Sequence, residues 1–196
     1  IGSSLLRSWV QTSYDRGVTA ISNARAAQQD ALRAIADAEI AQAEATAEPQ
    51  ATAEATVEAT PEATPEPGAV EWTSARSYWR NAINELTFVN SFVISDYRVS
   101  TAGSRLSDSY WEAIRLELDL DSWDAARELA RQFVEAEVDA QRAQTALRDT
   151  YYVPALALYD AGDYPAVRAM LDDMPRGENG ELDAESERLY QTSLTA

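Results

Sequence analysis

The groups able to do chemistry in this chain are carboxylates and guanidinium groups: 33 Asp and Glu against 16 Arg, with no His, Cys or Lys in 196 residues. The missing types remove whole classes of reaction. Without Cys there is no thiol nucleophile, disulfide framework or thiolate zinc site. Without His there is no Ser-His-Asp triad and no imidazole general base, and without Lys no Schiff base or phosphate-loop lysine. Paired carboxylates can hydrolyse glycosides without any of these, so a carboxylate-only hydrolase is the one common hydrolytic chemistry left open. At this density, however, carboxylate pairs arise everywhere and describe a solvated surface. Glu117, Asp119, Asp121 and Glu128 fall at positions 1, 3, 5 and 12 of a calcium loop, but Ser122 stands at the sixth, where the sharp turn needs Gly. The pattern reads instead as Asp121 or Ser122 capping a following helix, with Asp124 complementing its dipole. No metal or cofactor is expected, and the chain is expected to be non-enzymatic.

A formal charge of −17 repels phosphate backbones, and the arginines are scattered among acids, so no nucleic-acid partner is expected. No apolar run approaches the ~18 residues of a membrane span; the densest, Leu86 to Ile94, is short and contains Asn90 and Ser91. The first residue is Ile1 rather than Met, and no signal peptide is visible. The expectation is a processed or trimmed N-terminus, which leaves open whether a signal or anchor once preceded it.

Positioning elements are read from periodicity. Residues 1–45 predict a helical hairpin, Ser3–Asp15 stopping near Gly17 and a second, Ala-rich helix from Val18 to Ala45 with sparse anchors at Ile21, Leu32, Ile35 and Ile40. Residues 46–70 repeat Glu-Ala-Thr at Glu54, Glu58 and Glu62 among Pro49, Pro61, Pro65 and Pro67. With almost nothing to bury, this Thr/Ala/Glu/Pro-rich segment is expected to be a long disordered linker. In the third unit, 71–196, Trp72, Ala75, Trp79, Ala82, Leu86, Val89 and Val93 recur at alternating spacings of three and four, which predicts a helix to about Arg98. Further helices are expected over Ser107–Leu118, Ser122–Thr150, Tyr151–Asp160 with Pro154 in its first turn, Tyr164–Asp173, and from an Asp183 N-cap to Ser193. The fold class is therefore all-α, built of antiparallel helical hairpins.

A shift of 41 residues superposes Ser109–Leu129 on Thr150–Met170, matching Tyr110 with Tyr151, Trp111 with Tyr152, Asp119 with Asp160, Trp123 with Tyr164, and Arg127 with Arg168. Such a period marks stacked helix pairs. The second copy, with Tyr159, Gly162 and Tyr164, resembles the inter-helix turn of tetratricopeptide repeats over roughly residues 107–175. The resemblance implies a scaffold that binds peptides or partner proteins in a groove, and no catalytic residue.

Five Trp and nine Tyr also raise the alternative of a surface carbohydrate-binding module. Trp72 and Trp79 lie on the apolar seam, and Trp123 and Tyr164 lie where hairpin turns need an aromatic, so core packing accounts for most of them. In the adjacent pairs Tyr110-Trp111 and Tyr151-Tyr152, one member of each should face away from the core. Trp111, Arg115 and Tyr152 are thus the candidate partner-contacting residues. The function expected is a helical scaffold or adaptor for protein–protein assembly, with a protein partner or a second copy of itself. The Thr/Pro-rich segment, similar to spacers of bacterial surface proteins, points to an extracytoplasmic, cell-envelope location; the alternative is a cytoplasmic linker.

Overall fold

The computed structural model describes residues 3–47, 66–177 and 179–195. Alanine-rich sequence and a stripe of small residues make α1, Ser3–Ala47, one unbroken helix. Its buried stripe (Val10, Gly17, Ala20, Ala24 and Ala31) lies along α2, Ala69–Asn90, with Gly17 meeting Leu86 near one end and Ala31 meeting Gly68 near the other. The two helices are therefore antiparallel. The expected stop near Gly17 is overturned: a Cβ there would lie 3.0 Å from Leu86 Cγ, so glycine serves close helix approach rather than termination. Packing outweighs the roughly 1 kcal/mol that glycine costs inside a helix. The 46–70 segment expected as a linker lies for the most part outside the described residues; of its described ends, Ala47 closes α1 and Ala69 opens α2.

In α2 the seam from Ala75 through Trp79, Ala82 and Leu86 to Val89 is buried. The helix ends at Asn90 and not near Arg98, and Val93, counted in the seam from its spacing, is fully exposed. Asp96 then caps α3, Tyr97–Asp119, its Oδ1 accepting from the Arg98 amide at 2.9 Å. The start expected at Ser107 is thus ten residues late, and Thr101-Ala-Gly103 lies inside the helix.

The helix expected over Ser122–Thr150 is broken. α4 spans Trp123–Glu135 and α5 spans Ala140–Asp160, with Glu137 at φ 51 turning the chain and Asp139 capping α5 through the Arg142 amide. Tyr151 starts no new helix, and Pro154 sits inside α5, where it leaves the Thr150 carbonyl without its helical donor. Arg127 Nη2 approaches that carbonyl at 3.5 Å, supplying a partner from α4. α6, Tyr164–Asp172, and α7, Ala184–Thr195, follow; Asp183 accepts from the Ser186 amide, as its position before α7 implied. All described residues are helix, turn or irregular, so the class is all-α.

Two hairpins, α3–α4 and α5–α6, repeat bond by bond at 41 residues. Asp121 N donates to Leu118 O and Ser122 N to Glu117 O; Gly162 N donates to Tyr159 O and Asp163 N to Leu158 O. The left-handed residue is Asp121 in one turn and Gly162 in the other. Arg127 of α4 and Arg168 of α6 each reach a backbone carbonyl of the next helix, Thr150 and Ser193. One core takes in α1 through α5, and a smaller one joins α5, α6 and α7 around Tyr151, Val167, Leu171 and Leu189.

Candidate functional site

Helices α3 and α5 lie side by side, each the first member of its hairpin. Their facing stripes follow helical spacing: Trp111, Ile114, Arg115 and Leu118 on α3, and Ala146, Asp149 and Val153 on α5. The small Ala146 leaves room between bulkier neighbours, and the result is a cleft of about 310 Å³ with a mainly apolar lining. Tyr110 and Tyr151 turn inward and are buried, while their neighbours Trp111 and Tyr152 are half-exposed. Periodicity accounts for this division, since adjacent helical residues point about 100° apart.

The three candidate residues do not form one cluster. Trp111 and Arg115 share the cleft; Tyr152 does not line it. The Arg142 guanidinium lies 4.9 Å from the Trp111 ring centroid and is held by Asp108 Oδ1 at 2.6 Å. Tyr152 lies under Arg148, 4.8 Å from its guanidinium carbon. Arg115 is exposed and has no ion pair among the described residues.

Asp149, which the sequence reading passed over, borders the cleft and belongs to a charged group around Arg148. Arg148 Nη1 is 3.5 Å from Asp149 Oδ1, Nε is 3.1 Å from Asp183 Oδ2, and Nη2 donates to Glu185. Three carboxylates therefore share one guanidinium. Burial pushes the Asp149 carboxyl above the usual range; Arg148 opposes this, and Glu185 and Asp183 reinforce it. Burial also acts on Asp183, but hydrogen bonds from the Ser186 hydroxyl and amide and from Arg148 outweigh it and hold that carboxyl low. No local pattern in the sequence marks Asp149, because Asp183 and Glu185 reach Arg148 from the start of α7.

On the far side of Arg148 a second cavity, about 390 Å³, opens beneath the connection from α6 to α7, between Leu147, Met174, Arg176 and Asp183. Among the described residues, no three Asp or Glu side chains gather in a way that could hold a metal ion. Of the calcium-like set, Glu117 is buried and bound through both oxygens to Arg76 Nε at 3.0 Å, with Nη2 at 2.7 Å. Ser122 occupies the cap position of α4 but makes no side-chain cap; its Oγ accepts from Arg76 Nη2 at 2.7 Å, which corrects the capping role expected for it. No helix among the described residues is long and apolar enough to cross a membrane. No family model, curated protein or solved structure matches the chain.

Proposed function

We propose that the chain is a non-enzymatic, tetratricopeptide-like scaffold that holds a segment of a partner protein, or of a second copy, in the cleft between α3 and α5. The observation carrying this reading is the pairing of half-exposed Trp111 with Arg115, which has no ion pair among the described residues, on an apolar-lined cleft between the first helices of two stacked hairpins. An aromatic and an arginine are the side chains that most often dominate protein interfaces. The repeated turn supports the family likeness. The period exceeds the ~34 residues of that family by about two helical turns, an excess that suits the long first helices, of 23 and 21 residues.

The carbohydrate alternative is weakened by geometry. Guanidinium groups take one of the two faces of both Trp111 and Tyr152, and the two rings do not share a cleft on which a sugar could rest. The extracytoplasmic assignment rests on the composition of residues 46–70 alone. The test is selection from a displayed peptide library on the immobilised chain. Selected peptides should lose about tenfold in affinity, ~1.4 kcal/mol, on Trp111→Ala or Arg115→Glu. Failure to enrich any peptide, or enrichment only of peptides indifferent to both changes, overturns the reading.

A further inference from the structure

The charged residues lining the α3–α5 cleft are Arg115 and Asp119 on α3 and Asp149 on α5, two acids against one base. Asp119 is exposed and has no ion pair among the described residues, although Arg115 stands one turn before it. Asp149 is half-buried and shares Arg148 with Asp183 and Glu185. One guanidinium thus answers three carboxylates, and Asp149, at 3.5 Å, is held less closely than Asp183, at 3.1 Å. Of the three, only Asp149 lines this cleft; Asp183 lines the cavity beneath the α6–α7 connection. Elsewhere at the cleft the balance is kept, since Arg142, over the Trp111 ring, is paired with Asp108. Burial raises the Asp149 carboxyl against the pull of Arg148, and Glu185 and Asp183 reinforce the rise. Its negative charge is therefore a cost in the free chain, one that a cation entering the cleft would remove.

We propose that the cleft takes a short segment of a basic partner protein, its Lys or Arg side chain reaching Asp149 and Asp119 and an adjacent apolar side chain seated against Trp111, Leu118 and Val153. The proposal rests on the reading of the cleft as a docking groove and specifies what docks there. Charge complementarity selects this occupant. The cleft is short of positive charge, and a long basic side chain can lay its methylenes on the apolar lining while its head meets the carboxylates. Arg115 is left to donate to backbone carbonyls of the segment. The chain's net charge of −17 draws a basic partner and opposes a second copy, which would bring the same excess of acid. The lining runs from Trp111 to Asp119 and from Ala146 to Val153, about two turns of each helix. That length suits a few residues of a partner chain and not the face of a domain.

The experiment is selection on the immobilised full chain from two displayed peptide libraries, one encoding Lys and Arg without Asp and Glu, the other the reverse. The basic library should enrich and the acidic one should not. Selected basic peptides, once synthesised, should bind Asp149→Asn about tenfold more weakly. Asp119→Asn, at the exposed rim, should chiefly flatten the salt dependence of binding. Glu39→Gln, an exposed acid on α1 outside the cleft, should leave affinity unchanged. Enrichment of the acidic library overturns the proposal, as do basic peptides that respond alike to Asp149→Asn and Glu39→Gln. If the enriched peptides still depend on Trp111, the docking groove stands without its basic partner. A concentration-dependent dimer that Trp111→Ala abolishes makes a second copy the occupant, with the same consequence. Enrichment of neither library, with no such dimer, overturns the groove and its partner together.

Discussion

The turn between α3 and α4 and the turn between α5 and α6 follow the same backbone path with different chemistry. In the second, Gly162 occupies the left-handed position at φ 80, and Asp163 caps α6 by accepting from the Ala166 amide. Everything that turn needs lies within its own few residues. In the first, Asp121 takes the left-handed position at φ 52, a conformation that costs an ordinary residue roughly 1–2 kcal/mol. Its cap-position Ser122 is turned away to Arg76, and Glu117, where the second copy has Leu158, binds the same arginine. The first hairpin has thus exchanged local stability for an anchor on α2, a polar contact added to the core that α1 through α5 share. One backbone motif serves as a free-standing turn at one place and as a docking point at another, and only the side chains at two or three positions decide which.

The largest effect should come from breaking that anchor. Arg76→Leu leaves the Glu117 carboxylate, 4% exposed, without its partner, and the loss should be about 3 kcal/mol or more by urea unfolding. Replacing both residues by leucine, which copies the second hairpin's Leu158, should recover most of the loss, since an apolar pair can replace a buried ion pair at little net expense. A loss below about 1 kcal/mol for Arg76→Leu would mean that the ion pair is incidental to the docking.

An intermediate effect belongs to the left-handed positions, and it should have opposite sign in the two turns. Gly162→Ala introduces a Cβ that meets nothing within 4 Å, so its penalty is purely conformational, roughly 1–2 kcal/mol. Asp121→Gly should stabilise by about 0.5–1 kcal/mol, because it relieves strain at the cost of some unfolded-state entropy. Thermal unfolding of the two variants tests this directly. Equal signs would show that the turns are not equivalent in the way their bonds imply.

These contrasts also explain what could be read from the sequence. The buried α2 seam as far as Val89, the 41-residue period and the Asp183 cap were legible because each rests on local spacing or on a short polar signal. The errors came where a distant contact decided. Gly17 looks like a helix stop until Leu86 is placed 3.0 Å from its missing side chain. Pro154 looks like a helix start until Arg127 is found near the orphaned Thr150 carbonyl. The bend at Glu137 uses neither Gly nor Pro, so no propensity marks it. For the candidate site, helical phase sufficed to bring out Trp111 and Tyr152, and the cleft brings Trp111 together with Arg115. Whether Tyr152 joined them depended on where α5 lies against its neighbours, which periodicity does not specify. Asp149 went unnoticed because its character comes from Arg148, Asp183 and Glu185, the last two on or next to another helix.

The smallest effect concerns the junctions between successive first helices, where Ser107 and Arg148 are equivalent. Ser107 Oγ lies 3.2 Å from the Asp139 carboxylate, whereas Arg148 faces Asp149, Asp183 and Glu185. The first junction also holds a guanidinium, Arg142, on the single carboxylate of Asp108; the second gathers three carboxylates on Arg148, and two of these have shifted pKa values of opposite direction. Asp183 is held low in the folded chain, so it stabilises the fold above the ordinary carboxylate pKa of about 3.9 and loses that contribution as pH falls through its folded value. Asp149 is held high, so its ionised form is disfavoured by folding, and that penalty disappears as pH falls below its raised value. Asp149→Asn should therefore stabilise the protein at pH 7, by less than about 1 kcal/mol, with the gain fading as pH falls through the raised Asp149 value towards the ordinary carboxylate pKa of about 3.9. Asp183→Asn should destabilise at pH 7 and fade over a lower range. If the Asp149 gain persists undiminished at pH 3, its origin is packing rather than charge, and the second junction is then no more electrostatic than the first.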